Sequence, residues 1–102
     1  MSSHHEMYGH VQNSNDLHRV FREIRQDVDA ADSRPVLTEL YRRGGYLITL
    51  TYAPSWIEKF GTEVQALRQT AEAEFRLTAQ RINQRAAKIG TEADYHETWG
   101  HR

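Results

Sequence analysis

The sequence predicts an all-α fold: a small antiparallel helical bundle, or hairpin, of about three helices with one long C-terminal helix, completed by dimerisation. Three observations lead there. Apolar residues recur at steps of three and four over residues 17–31 and again over 64–89, which is the period of one helix face. Residues that cap or break helices stand between those stretches. Val, Ile, Leu and Phe together make up 20 of the 102 residues, a sparse supply for a core, so a second chain is expected to cover what one chain cannot. The chain divides into a flexible N-terminal tail over 1–13, a helical domain over 14–90 and an acidic, aromatic tail over 91–102.

The first thirteen residues are polar, with His4, His5, Glu6 and His10 and no apolar period. The first helix is expected near Ser14, Asn15 and Asp16, all good N-cap types. Leu17, Val20, Phe21, Ile24, Val28 and Ala31 then form one stripe, with Arg19, Arg22, Glu23, Arg25 and Asp27 on the other faces. Arg19 and Glu23 suit an i,i+4 ion pair. Asp32 or Ser33 can cap a second helix, with Pro35 in its first turn.

Residues 35–52 carry two readings. Val36, Leu37, Leu40, Tyr41, Gly44, Leu47, Ile48 and Thr51 fit a helical stripe. Gly44-Gly45 weakens a helix interior by about 1 kcal/mol per glycine. Tyr46 to Tyr52 is also rich in strand formers, but a strand there would have to pair with the same strand of another copy. A kinked helix is the favoured reading and the intersubunit ribbon the alternative; in the helix, the glycines would let another helix approach closely.

Ala53-Pro54-Ser55 marks the next boundary, because the residue before proline is pushed out of helical geometry. Ser55 and Glu58 match a capping box, and Thr62 and Gln65 match a second. The expectation is one helix, continuous or kinked at Gly61, ending at Ile89 before Gly90. Its length would be about 50 Å, more than a compact domain of this size spans. Val64, Leu67, Ala71, Phe75, Thr78, Ile82, Ala86 and Ile89 repeat every eleven residues, the period of a nearly straight helix rather than a heptad zipper.

The absence of cysteine excludes disulfides, thiolate catalysis and cysteine-held metals. No apolar run is long enough for a membrane span and none resembles a signal peptide, so the expected location is cytoplasmic. A net charge of −1 gives no overall attraction to nucleic acid or anionic lipid. No triad, P-loop or dinucleotide motif is present, and Gly44-Gly45 lacks the strand–loop–helix setting of one. The expectation is therefore a non-enzyme without a cofactor.

Four groups remain as candidates. Trp56, Phe60, Tyr95 and Trp99 are the expected partner-binding residues, since aromatic side chains anchor interfaces; Trp56 also suits a core contact. Arg76, Arg81, Arg85 and Lys88 form an acid-free basic face with Gln80, Asn83 and Gln84 beside it, suited to phosphate and base-edge contacts. The acidic run Asp27, Asp29, Asp32 is an internal alternative partner for that face. His4, with His5 and His10 assisting, could hold Cu(II) or Ni(II) if Met1 is removed. The His and carboxylate residues of the C-terminal tail match no ligand spacing. The leading expectation is a small helical protein–protein interaction or regulatory subunit acting as a homo-oligomer. A nucleic-acid-binding regulator and a metal-binding protein are the alternatives.

Overall fold

Asn13, one residue earlier than expected, starts the first helix of the computed structural model, which describes residues 8–92 and 94–100. Its side-chain oxygen accepts from the Asp16 amide at 3.0 Å, and the Asp16 carboxylate accepts from the Gln12 amide at 2.8 Å. Two amide donors are thus satisfied reciprocally, as in a capping box. Helix α1 spans Ser14–Ala30 and buries Leu17, Val20, Phe21, Ile24 and Val28. Arg19 pairs with Asp16 at 3.5 Å rather than with Glu23.

Helix α2 spans Arg34–Leu50, with Ser33 as its extended N-cap and Pro35 in the first turn. Residues 46–50 are helical, so the intersubunit ribbon is not formed. Leu37, Leu40, Gly44, Leu47, Ile48 and Thr51 take the core side as expected, whereas Val36 lies at the helix entrance and is exposed.

Helix α3 spans Pro54–Phe60. Neither predicted capping box forms. Pro54 occupies the first helical position, which suits its fixed φ, and so hands the N-cap to Ala53, whose side chain can accept nothing. Ser55 is left inside the helix. Gly61 then turns the chain at φ 60° and ψ −133°, a conformation open to glycine. A 3₁₀ turn, Gly61–Glu63, leads into helix α4, Val64–Ile89. This break shortens the expected helix: 26 residues make about 39 Å, which fits the 43 Å long axis of the molecule. Gly90 ends α4 at φ 80°.

The eleven-residue stripe of α4 is buried from Val64 to Ala86, with Ile89 packed at its end. It meets both α1 and α2, which also touch each other. The radius of gyration is 13.7 Å, close to the value of about 13 Å for a compact chain of 100 residues. The sparse core is completed from the two expected tails. Tyr8 and Val11 are 4% and 0% exposed, so the segment from residue 8 is part of the core. Tyr95 and Trp99 pack onto the same cluster from the other end. Tyr8 and Val11 fall within the segment expected as a flexible tail, and they are buried because a segment without a period can still bury isolated side chains. Among the described residues the fold is all-helical, and no helix is long and apolar enough to cross a membrane.

Candidate interaction surface

The C-terminal segment, here the strap, leaves α4 at Gly90 and runs back along α4 beside α2, from Asn83 and Thr38 to Phe75 and Thr49. Asn83 on α4 holds it by the backbone: its amide donates to the Tyr95 carbonyl at 2.9 Å, and its carbonyl accepts from the Tyr95 amide at 3.0 Å. The Tyr95 hydroxyl lies 2.6 Å from that of Thr38, and the Tyr41 hydroxyl donates to the His96 carbonyl at 3.0 Å. Tyr41 stacks obliquely against both Tyr95 and Trp99, with centroids 4.8 and 5.5 Å away. Trp99 meets Phe75 edge-on, donates from its indole nitrogen to Thr49 Oγ1 at 3.2 Å, and lies directly over Gly45. The glycine pair therefore has two distinct roles. Gly44 lets Phe75 and Phe21 close on α2 from inside, as a packing helix was expected to. Gly45 admits the strap.

Beside Trp99 the outer face of α2 forms an open groove of about 410 Å³, lined by Glu39, Arg42, Arg43, Tyr46, Thr49 and Trp99. Glu39, Arg42 and Thr49 are exposed, and among the described residues neither Glu39 nor Arg42 makes an ion pair. Arg43 reaches Asp27 only at 3.8 Å, and Tyr46 leans on Tyr8 with centroids 6.2 Å apart. The Tyr8 hydroxyl and Arg43 Nε are buried and have no hydrogen-bond partner among the described residues. Burial pushes the Tyr8 hydroxyl pKa up to about 12.

The other expected anchors are placed differently. Trp56 is buried and meets Phe60 edge-on at 5.3 Å, a contact internal to the short helix and the core. Its neighbours Tyr52 and Ile57 are exposed instead, and the Arg68 guanidinium covers the Tyr52 ring at 3.9 Å while donating to the Thr51 carbonyl at 2.7 Å.

The basic face is partly engaged at home. Arg81 grips Asp29 with two hydrogen bonds, 2.8 and 3.0 Å, the internal partner anticipated from the acidic run. These bonds hold the Asp29 carboxyl below its ordinary range and raise the Arg81 pKa. Arg85 donates to the Ala31 carbonyl at 2.8 Å. Arg76 and Lys88 remain exposed.

Those two contacts belong to a ladder of polar pairs between α1 and α4 that the sequence did not announce. Thr70 donates to Ser14 at 3.2 Å. Glu74 then takes His18 Nδ1 on one carboxylate oxygen and Arg25 on the other, each at 2.7 Å. Arg25 also donates to the Thr78 hydroxyl at 3.2 Å. The partners ascend together along both helices, so α1 and α4 run side by side in the same direction. Glu74 is 9% exposed, and a carboxylate so placed is tolerated only with such partners. The one signal available was position: Glu74 adjoins Phe75 and lies one turn from Ala71 and Thr78, on the edge of the buried stripe.

Of the histidines proposed for metal, His10 is exposed, and His4 and His5 lie outside the described residues. Among the described residues no three His, Asp or Glu side chains are grouped as metal ligands. Comparison with protein-family models, curated proteins and solved structures finds no match to this chain.

Proposed function

We propose that this protein is a small helical interaction and assembly subunit that acts as a homo-oligomer and binds through the outer face of α2. The observation that carries the reading is the groove beside Trp99. It gathers Trp99, Tyr46, Arg42 and Arg43 along one open surface, and Trp, Tyr and Arg are the residues that dominate interface energetics. The strap is part of this surface, since Trp99 forms one wall. In this reading Trp99 binds the partner as one wall of the groove, and Tyr95 holds the strap in place behind it. Trp56 and Phe60 pack on each other and on the core, away from the groove lining.

The nucleic-acid reading of Arg76, Arg81, Arg85 and Lys88 stands second. Asp29 lies in the same shallow cleft as Arg81, Arg85 and Lys88, where its carboxylate would oppose an incoming phosphate. The assembly reading is tested by multi-angle light scattering across a concentration series. A dimer or higher oligomer is expected at tens of micromolar; a monomer throughout overturns the homo-oligomeric reading.

A further inference from the structure

We propose that the partner at this surface is a second copy of the chain, with α2 packed antiparallel against α2 about a two-fold axis passing between residues 40 and 41. This rests on the assembly reading above and names its surface and register.

The outward stripe of α2 runs Pro35, Glu39, Arg42, Tyr46. The steps are 4, 3 and 4, so the residues share one face, and the spacing reads the same in both directions. Reversing the stripe on itself places Glu39 opposite Arg42 and Pro35 opposite Tyr46, each pair occurring twice. An isologous contact has this property: residue i meets j and j meets i. The chemistry is as symmetric as the spacing. An acid faces a base near the axis, and a proline ring faces an aromatic ring on each flank.

On this stripe Pro35, Glu39 and Arg42 are exposed, while Tyr46 is half-buried and leans on Tyr8. Glu39 and Arg42 stand three residues apart on the same helix without pairing to each other. The groove of about 410 Å³ lies along this stripe, with Trp99 as its outer wall. Apolar area comes from Pro35, Tyr46 and Trp99, while Glu39 and Arg42 set register and direction, the role that charged positions play between paired helices.

Charge reversal tests the register. In Glu39→Arg, two positive charges meet across the axis; in Arg42→Glu, two negative charges meet. Each variant alone is expected to weaken dimerisation at least tenfold by analytical ultracentrifugation. An equimolar mixture of the two should restore a heterodimer, because every crossed pair is then of opposite charge. The double variant E39R/R42E should restore the homodimer. Circular dichroism melts confirm that each exposed substitution leaves the fold intact. A wild-type dimer that both single variants leave undisturbed, or that the mixture fails to restore, overturns this surface while the assembly reading stands. A wild type that stays monomeric overturns both.

Discussion

The indole of Trp99 lies flat over Gly45, so close that a methyl group at residue 45 would overlap its six-membered ring. A glycine inside a helix costs stability, about 1 kcal/mol relative to alanine; here it gives the strap a seat. Gly45→Ala is therefore expected to expel Trp99 while helix propensity rises, leaving the overall melting temperature little changed. In a Trp56→Phe background the remaining indole reports the effect directly. Its emission should shift to the red and become more accessible to quenchers. Gly44→Ala behaves otherwise: its added carbon would stand 3.0 Å from Phe75 Cδ1 in the core, and the expected result is lost stability with Trp99 emission preserved.

Asn83 holds the strap backbone by two hydrogen bonds to Tyr95. Asn83→Ala removes both, and each net bond is worth about 1 kcal/mol. The Tyr95 amide, which donates to Asn83, should exchange about tenfold faster or more, while amides of α1 and α4 keep their protection. Equal loss of protection everywhere would show that Asn83 supports the whole fold instead.

The parts of this fold that were legible in the sequence are those governed by a backbone period. The stripes of α1 and α4 place Leu17 to Val28 and Val64 to Ala86 in the core, because a 3.6-residue turn converts spacing directly into a face. The strap has no period, so Tyr95 and Trp99 marked themselves only as aromatics without a visible seat. Gly45 was that seat, but its pairing with a residue 54 positions later depends on tertiary packing. Glu74 was hidden for a similar reason. Its burial follows from the register of α4 on α1, which brings His18 and Arg25 to its two oxygens. The capping boxes misled because local signals compete, and Pro54 fixed the α3 start before Ser55 could cap it.

The Glu74 cluster should be uneven in its energetics. Arg25 has a side chain 19% exposed and His18 one 44% exposed, so water can replace the histidine more readily than the arginine. Glu74→Gln keeps the shape and removes the charge, leaving Arg25 half-buried without its counter-ion. A loss of about 1–3 kcal/mol is expected, since hydrogen bonds to charged groups are the stronger class. Arg25→Ala should cost more than His18→Ala in urea unfolding. If the histidine variant proved the more damaging, water would not be substituting for it.

Tyr8 provides a pH signature of the N-terminal segment. Burial raises its pKa from 10.0 to about 12, because the phenolate is penalised where water is excluded. The sign follows from proton counting. Between those values the folded state holds a proton that the unfolded state has released, so stability falls as pH rises. The contribution is complete below pH 10 and is lost as pH climbs through about 12. Urea titrations in that window should show a decline that Tyr8→Phe reduces. At neutral pH the same variant should match or exceed the wild type, because the hydroxyl it removes is buried with no hydrogen-bond partner among the described residues. A Tyr8→Phe protein that is markedly less stable at neutral pH would mean that the hydroxyl has a partner after all, with ordered water the first to seek.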